Sequence, residues 1–237
     1  MSAPRSLADR LIVALDFTAP APALRMARRL RGVVSTVKVG SALFTASGPQ
    51  IIRQLRRLGF RIMLDLKFFD IPNTVALSCR AAALQRVALL TVHARGGREM
   101  LEAAVQSSRQ ASLALGITPP RVLAVTVLTS TAGAGSTARE VLALAKTAAA
   151  AGCDGVVASA REVRAIKRQA GRRLRVLCPG IRPRGGARGD QRRVATPAQA
   201  LADGADWLVV GRPITDARNP RAAARAMLQE MEERAGC

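Results

Sequence analysis

Eight repeats of a short apolar run followed by a longer segment of helical period constrain the fold of this chain more than any other feature. The predicted strands are 11–17, 34–40, 61–68, 89–94, 121–129, 155–160, 175–181 and 207–212. The predicted helices are 20–31, 48–58, 73–86, 97–115, 137–151, 161–170, 197–203 and 220–234. Eight strand–helix units in about 240 residues predict an α/β fold, a single (β/α)8 TIM barrel with its active site at the carboxyl-terminal ends of the strands. The alternative, a doubly wound open sheet, would more naturally stop at about five to seven strands.

The length and hydrophobic content of the chain are sufficient for a large core. With 237 residues and 49% hydrophobic content, the chain fits one domain of barrel size as well as two smaller domains. No linker rich in serine and proline, and no shift in composition, divides it. We therefore expect one domain over residues 1–237.

The net charge of +21 raises the question of a polyanionic partner. The arginines are scattered through nearly every predicted helix, however, and form no basic tail. Aromatic residues make up only 3% of the chain and tyrosine is absent, which leaves few platforms for base stacking. We expect no specific nucleic-acid partner, although a non-enzymatic, basic nucleic-acid binder remains the competing hypothesis from another functional class.

The cysteines and the apolar runs indicate the compartment. Cys79, Cys153, Cys178 and Cys237 are widely spaced and the chain has one histidine, which argues against a zinc site and a disulfide scaffold. The apolar run 11–15 is too short for a signal peptide, and no run approaches the ~18 apolar residues of a membrane span. We expect a cytoplasmic protein with no membrane partner.

The charged stretch 65–74 is the first candidate for chemistry. Strand alternation places Asp65 and Lys67 on one face, and Asp70 follows near the predicted strand end. Only four of the 37 basic residues are lysines, and two of them, Lys38 and Lys67, end apolar runs. An arginine is effectively never deprotonated, whereas a lysine can give up a proton. This choice of lysine indicates chemistry that needs a transferable proton, rather than a solvated ion pair.

Other polar residues also fall at the predicted strand ends, which in a barrel share one rim. These residues are Asp16, Lys38, Asp65, Lys67, Asp70, His93, Thr129, Arg182 and Arg212. A single histidine at such a position is at least as often a hydrogen-bonded structural residue, so His93 is left out of the catalytic set. Trp207 opens an apolar run and is predicted to be a core residue.

Two long loops, 130–136 and 182–193, belong to the same rim. Connections in α/β units usually span about 2–6 residues, so loops of this length are typical of function or disorder. The arginines and Gln191 of the second loop can bind a phosphate, and Gly211 and Arg212 add backbone N–H donors and a guanidinium. The pattern predicts a substrate with one terminal phosphate; a merely flexible, basic surface loop is the alternative.

Six motifs occur in order at these strand ends, and together they resemble one family over nearly the whole chain. The motifs lie at 13–16, 37–40, 65–74, 124–130, 179–183 together with 189–193, and 210–215. Their sequences, such as Asp65-Leu66-Lys67-Phe68-Phe69-Asp70-Ile71-Pro72-Asn73-Thr74, resemble those of orotidine 5'-phosphate decarboxylases. The resemblance implies conversion of orotidine 5'-monophosphate to UMP and CO₂ in de novo pyrimidine biosynthesis, without a metal or a cofactor.

The resemblance also implies a role for each matching residue. Lys67 would protonate C6 of the pyrimidine, Asp16 would bind the ribose, and Lys38 would bridge the ribose and Asp65. Asp70, with Ile71 and Thr74, would reach the active site of a partner subunit, which implies a homodimer with composite sites. Thr129 would contact the pyrimidine. The residues implied in phosphate binding are Arg182, Gln191, Gly211 and Arg212.

The chain also departs from the family pattern. Phe69 stands where many bacterial members have histidine, and Arg95 where a small residue is common. The nearest rival activity is that of a metal-dependent hexulose-phosphate synthase or ketogulonate-phosphate decarboxylase, which share the Asp-x-Lys-x-x-Asp core. Those enzymes carry an acidic metal ligand at the strand-two position, where this chain has Lys38, and a cation there opposes Mg²⁺ binding.

Overall fold

The computed structural model describes residues 6–128, 136–171, 173–185 and 195–233 and contains a closed barrel of eight parallel strands. Each strand pairs with its sequence neighbour, and β1 closes the barrel on β8. The strands are β1 Leu11–Ala14, β2 Thr36–Gly40, β3 Arg61–Phe68, β4 Leu89–His93, β5 Arg121–Val125, β6 Gly155–Val157, β7 Arg175–Cys178 and β8 Trp207–Val210. The predicted (β/α)8 TIM barrel is confirmed.

Helices connect the strands and surround the barrel. The α-helices are α1 Pro20–Leu30, α2 Ser41–Ser47, α3 Gln50–Arg57, α4 Pro72–Leu84, α5 Gly97–Ala114, α6 Ser136–Ala150, α7 Val163–Ala170, α8 Pro197–Ala202, α9 Arg212–Thr215 and α10 Pro220–Glu232. Short 3₁₀ helices are Leu7–Asp9, Ala94–Gly96 and Ala160–Glu162. Within the described ranges, no helix is both long and apolar enough to cross a membrane.

Two separate cores show which way the strand residues face. Ile12 and Ala14 belong to a small core inside the barrel, whereas Leu11 and Val13 belong to the large core between barrel and helices. The same alternation runs around the barrel, as expected for strands whose successive side chains point to opposite faces. The inner core consists of Ile12, Ala14, Met63, Leu89, Leu123, Leu177, Trp207 and Val209. Trp207 is therefore a core residue, as predicted.

The observed elements differ from the predicted ones mainly at their ends. β5 ends at Val125 rather than at residue 129, because its neighbour β6 offers only three residues for pairing. α2 and α9 were not predicted as helices. The sequence of α2 begins directly after Gly40 and has no side-chain cap at its start, so the usual helix signals are absent.

The end of β3 has an irregular backbone. The register between β3 and β4 shifts between Leu64 and Phe68, and Lys67 has a φ of 50°, in the left-handed region. The side chains of Asp65 and Lys67 do meet, as predicted. The predicted reason, regular strand alternation, does not hold here, because the backbone is irregular at Lys67. Pro72 occupies the first turn of α4, as predicted, because proline needs no N–H donor there.

Candidate active site

A cavity of about 390 Å³ opens at the carboxyl-terminal ends of the strands, and we call it the carboxyl-end cavity. Its polar wall is formed by seven of the predicted site residues. These residues are Asp16, Lys38, Asp65, Lys67, Arg182, Gly211 and Arg212. Apolar side chains from the inner face of the barrel, including Met63, Leu177 and Val209, form its floor.

Two lysines and two aspartates alternate along one side of the cavity. The Nζ of Lys38 lies 2.7 Å from Oδ1 of Asp16 and 3.5 Å from Oδ2 of Asp65. Oδ1 of Asp65 accepts a hydrogen bond of 2.9 Å from Nζ of Lys67. Lys38 comes from β2, whereas Asp65 and Lys67 come from β3, and Asp16 follows β1. Three adjacent strands thus place four charges in one row.

The two carboxylates of this row differ in their exposure to solvent. The side chain of Asp65 is 12% exposed and that of Asp16 is 62% exposed. Burial alone would raise the pKa of Asp65, but the charges of Lys38 and Lys67 and hydrogen bonds from Lys67 and Thr91 outweigh it. The pKa of Asp65 is therefore below its ordinary value, and the residue stays ionised at neutral pH.

Thr91 is a buried positioning residue that the sequence analysis missed. Its Oγ1 donates a hydrogen bond of 3.0 Å to Oδ1 of Asp65 and accepts one of 2.9 Å from the backbone N–H of Lys67. One hydroxyl therefore holds both the Asp65 carboxylate and the left-handed backbone of Lys67. The signal in the sequence is a polar residue within the apolar run Leu89-Leu90-Thr91-Val92, because a buried hydroxyl requires a hydrogen-bond partner.

Gly40 makes room for the ion pair between Lys38 and Asp16. A Cβ at this position would lie 3.1 Å from Nζ of Lys38 and 3.2 Å from Oδ1 of Asp16. Both atoms belong to the pair itself, so a side chain at residue 40 would force the pair to shift. The sequence marked this residue only as a strand end.

The part of the cavity that follows β7 and β8 carries two guanidinium groups. Arg182 follows β7, and Arg212 is the first residue of α9, directly after Gly211. Burial and the nearby charge of Arg212 lower the pKa of Arg182, which shows that the two cations act on each other. Gly180, before Arg182, has a φ of 74°, a conformation that glycine adopts without strain. Two adjacent cations beside backbone N–H groups suit a dianionic phosphate.

Three of the remaining predicted residues, all of them described, do not line this cavity. Asp70, Ile71 and Thr74 are exposed at the start of α4, and the Asp70 carboxylate accepts a hydrogen bond of 2.7 Å from the Ile71 N–H. None of the three lines the cavity of its own chain. Thr129 and Gln191 lie outside the described residues.

His93 makes local contacts at the end of β4. Its Nδ1 accepts a hydrogen bond of 3.3 Å from the Arg95 N–H and caps a 3₁₀ helix, and its ring centroid lies 5.3 Å from that of Phe69. Arg95 instead turns to Glu140, to which it donates from both Nε and Nη2. Burial, followed by the charges of Arg95 and Lys67, lowers the pKa of His93.

Histidine, cysteine and carboxylate side chains are the groups that could bind a metal ion, and the cysteines could also act as thiol nucleophiles. Within the described ranges, no three histidine, cysteine, aspartate or glutamate side chains lie close enough together to hold a metal ion. Cys79, Cys153 and Cys178 are free thiols buried in the protein, and burial raises the pKa of the first two to about 12. Such thiols are poor nucleophiles at neutral pH.

The carboxyl-end cavity thus combines a buried ionised aspartate, two ammonium groups and a separate pair of guanidinium groups. A protonated lysine beside an apolar floor can stabilise a developing negative charge and then deliver a proton. The guanidinium pair can fix a phosphate in the same cavity.

Comparison with known proteins agrees with this arrangement. Residues 9–227 match the model of the orotidine 5'-phosphate decarboxylase / HUMPS family. Orotidine 5'-phosphate decarboxylases from Nitratidesulfovibrio vulgaris (strain DP4) and Halorhodospira halophila are 49% and 50% identical to this chain. The alignments cover 93% of the chain and 97% of the first relative, and 94% of the chain and 95% of the second.

A solved structure is similar as well. The crystal structure of orotidine 5'-phosphate decarboxylase from Lactobacillus acidophilus superposes with a TM-score of 0.83 at 36% identity, covering 94% of this chain and 99% of that one. The match of the family model to most of the chain and the 49–50% identity of full-length relatives lead to one conclusion. The chain belongs to the orotidine 5'-phosphate decarboxylase / HUMPS family.

Proposed function

We propose that this protein decarboxylates orotidine 5'-monophosphate to UMP and CO₂, as a step of pyrimidine biosynthesis, and that Lys67 is the proton donor. The observation that carries the proposal is the row Asp16–Lys38–Asp65–Lys67, which shares a cavity with Arg182 and Arg212. The names of the close relatives supply the substrate.

Lys67 would act at the reacting carbon. When the bond between C6 and the carboxylate breaks, CO₂ leaves and the electron pair stays on C6, in an orbital that the ring π system does not stabilise. The Lys67 ammonium would stabilise this charge and then transfer its proton to C6, and solvent would reprotonate the amine. Its hydrogen bond to Asp65, 2.9 Å long, orients the ammonium before the reaction.

Asp65 would lie beside the carboxylate of the substrate. Its carboxylate is buried and ionised, so two negative charges would face each other in the bound substrate and separate when CO₂ leaves. Relief of that repulsion favours bond cleavage. Lys38 limits the repulsion through its contacts with both Asp65 and Asp16, and Asp16 is exposed enough to accept hydrogen bonds from the ribose hydroxyls.

The phosphate group would provide binding energy away from the reacting carbon. Arg182 and Arg212 line the same cavity as Lys67 but follow β7 and β8 rather than belonging to β3, so a phosphate held there would be bound away from the reacting carbon. Gln191 and Thr129 are proposed to complete the phosphate and pyrimidine contacts. Interaction with a remote group lowers the barrier only if it positions the reacting group for the transition state.

The proposed reaction uses no metal ion. A cation, the Nζ of Lys38, already lies between the carboxylates of Asp16 and Asp65 at 2.7 and 3.5 Å. A divalent ion placed there would have to displace this ammonium or share the space with it, and like charges at that distance repel strongly. This argument favours the decarboxylase over the metal-dependent sugar-phosphate enzymes of the same family.

We also infer a homodimer in which each active site uses residues of both chains. Asp70 and Thr74 are exposed, and Phe69, Ile71 and Leu77 expose 59%, 66% and 59% of their surface around the start of α4. A second copy of the chain could bury this apolar surface and receive the Asp70 carboxylate in its own active site. The same chain is proposed to form one domain, because its strands close a barrel from Leu11 to Val210.

The first experiment is to mix purified protein with orotidine 5'-monophosphate in excess EDTA and follow the ultraviolet absorbance. We expect loss of the orotate chromophore, with UMP as the product. A folded protein that leaves the absorbance unchanged would contradict the proposed function. Turnover of a hexulose phosphate or a ketogulonate phosphate, restored by Mg²⁺, would then assign the chain to the other activities of the family.

A further inference from the structure

Arg182, one of the two guanidinium residues of the carboxyl-end cavity, is held in place at several points. Its neighbour Ile181 pairs with Ala195 in an isolated parallel bridge, and the Arg182 N–H donates a hydrogen bond of 3.0 Å to the Ala195 carbonyl. Nη1 of Arg182 donates another, also 3.0 Å long, to the Ile181 carbonyl. These contacts hold both the backbone and the guanidinium of Arg182.

A further contact to this segment comes from the last helix, α10. Arg184, two residues after Arg182, lies in a turn and donates its N–H to Oε2 of Glu230 at 3.2 Å. Glu230 belongs to α10, near the end of that helix. The hydrogen bond therefore ties the segment after β7 to a residue 46 positions further along the chain.

We propose that Glu230 is a positioning residue for phosphate recognition, and that it acts through Arg184 on the Arg182 guanidinium. The proposal rests on the assignment of Arg182 and Arg212 to the substrate phosphate. Glu230 itself does not line the carboxyl-end cavity, so it would not touch the substrate. It would instead keep the turn at Arg184, and with it Arg182, where a phosphate can be bound. The match to the family model ends at residue 227, before Glu230, so this contact is not part of the pattern by which the family is recognised.

The packing of α10 holds Glu230 firmly. This helix buries four residues at spacings of three and four, which form one stripe along its surface. They are Pro220, Ala224, Met227 and Met231. Glu230 is next to Met231, which is fully buried, and α10 also packs against α9, whose first residue is Arg212. One helix thus contacts the segments of both guanidinium groups, and the bond made by Glu230 can set the spacing between them.

The second carboxylate oxygen of Glu230 is unfavourable for the stability of the fold. Oε1 is buried and has no hydrogen-bond partner among the described residues. A buried polar atom without a partner lowers the free energy of unfolding. A gain in stability therefore does not explain a glutamate at this position, whereas the hydrogen bond from Arg184 gives it a role.

The test compares two glutamates of the same helix. Glu230→Ala removes the contact with Arg184, whereas Glu232→Ala removes the same charge from an exposed position. Glu230→Gln keeps an oxygen that can accept the Arg184 N–H. Each protein is titrated calorimetrically with UMP, uridine and inorganic phosphate, after circular dichroism has verified the fold. Glu230→Ala is also made in an Arg182→Ala background, because a residue that acts through Arg182 has no effect once that guanidinium is gone.

We expect Glu230→Ala to bind UMP about 3- to 10-fold more weakly than Glu232→Ala, with nearly unchanged affinity for uridine. In the Arg182→Ala background, the same substitution should change UMP binding by less than about twofold. Glu230→Gln should bind UMP within about twofold of the wild type. With orotidine 5'-monophosphate as substrate, KM should rise in Glu230→Ala by a larger factor than kcat falls.

Four results would overturn the proposal. They are a wild-type protein that binds neither UMP nor phosphate, equal losses in Glu230→Ala and Glu232→Ala, an undiminished loss in the Arg182→Ala background, and a loss in Glu230→Gln as large as in Glu230→Ala. The expected binding results without turnover of orotidine 5'-monophosphate would instead support this role of Glu230 and contradict only the proposed reaction.

A second pair of variants decides the question if Glu230→Ala fails to fold. Arg184→Pro removes the N–H that Glu230 accepts, and Arg184→Ala, which keeps the N–H, is its control. Proline suits this position, because the next residue, Gly185, has a φ of 75° and proline is common before such a glycine in a turn. We expect weaker UMP binding in Arg184→Pro than in Arg184→Ala, and equal affinities would overturn the proposal.

Discussion

Each end of the barrel contains a close lysine–aspartate pair, and the two pairs have different surroundings. At the carboxyl end, Nζ of Lys67 lies 2.9 Å from Asp65; at the amino end, Nζ of Lys167 lies 2.7 Å from Asp206. Lys167 also donates to the Leu174 carbonyl, and Asp206 accepts from the Val176 N–H. Asp65 is bonded only to side chains among its recorded partners, and the side chain of Lys67 is 39% exposed to the cavity.

The proposed role of Lys67 depends on these surroundings, because a lysine–aspartate pair by itself does not indicate chemistry. The pair at the amino end ties strand ends together through backbone groups, so its polar atoms are already used. The pair at the carboxyl end is held by the neighbouring side chains Lys38 and Thr91, and its ammonium faces a cavity. Reactive groups need to be positioned by their neighbours and also to keep a face open to a substrate.

Removal of the two lysines is the sharpest test of this contrast. Lys67→Ala should lower kcat at least about a thousandfold with little change in fold, because it removes the proposed proton donor. Lys167→Ala should leave kcat nearly unchanged but lower the free energy of unfolding by about 2–3 kcal/mol, since it breaks a partly buried pair. Steady-state kinetics and urea denaturation of both variants measure the two effects. If kcat fell equally in Lys67→Ala and Lys167→Ala, the proposed functional difference between the two ends of the barrel would be wrong.

Mixing two inactive variants tests whether the carboxyl-end cavity is completed by a partner chain. Lys67→Ala and Asp70→Ala should each be inactive, and after subunit exchange an equal mixture should recover about a quarter of wild-type activity. Half of the dimers would then be mixed, and each would contain one intact site. If the mixture recovered no activity although labelled subunits had exchanged, Asp70 would not belong to the partner's active site.

Arg212→Ala tests the phosphate side of the carboxyl-end cavity. We expect affinity for UMP to fall about 10- to 100-fold, because a charge-assisted hydrogen bond to the phosphate is lost. Affinity for uridine, which has no phosphate, should hardly change. Arg25→Ala, which removes an exposed arginine of α1, is the matched control. Equal losses for the nucleotide and the nucleoside would refute the assignment.

Thr91 provides a smaller test of side-chain positioning. Thr91→Val keeps the shape of the residue but removes the hydroxyl that bonds both Asp65 and Lys67. We expect kcat to fall about tenfold with little change in KM, and Thr91→Ser to restore most of it. A change confined to KM, or a failure of serine to rescue, would show that Thr91 has only a packing role.

The pH dependence of stability should show the smallest effect. Because the pKa of Asp65 is lower in the folded than in the unfolded protein, its ionisation stabilises the fold above its ordinary pKa, 3.8. That contribution is lost as the pH falls through the folded value. Asp65→Asn should therefore lose less stability than the wild type between neutral and acid pH. Denaturation curves of both proteins at each pH measure this. A steeper loss of stability in Asp65→Asn than in the wild type would contradict the prediction.

The fold was predictable because each strand is a short apolar run that can be recognised in the sequence without knowing which strands it pairs with. The limits of β5 were not, because the pairing that ends it at Val125 depends on the length of β6, which lies about thirty residues further along the chain. α2 was missed since it lacks the cap residues that mark a helix start.

The sequence could indicate candidate site residues, but not the contacts between them. Scarce lysines at strand ends identify Lys38 and Lys67 from composition alone. The hydrogen bonds of Thr91 and the space beside Gly40 depend on residues that meet only in the barrel, so no local pattern reports them. The family resemblance supplied roles for residues, but not the distances between them.

The left-handed backbone of Lys67 is a source of strain at the proposed proton donor. A non-glycine residue in that conformation costs roughly 1–2 kcal/mol. Lys67→Gly and Lys67→Ala both remove the ammonium, so the glycine variant should be the more stable of the two by about 1 kcal/mol. Among variants that have lost the lysine, a screen for heat resistance alone should therefore favour glycine over alanine, although either change also removes the ion pair with Asp65.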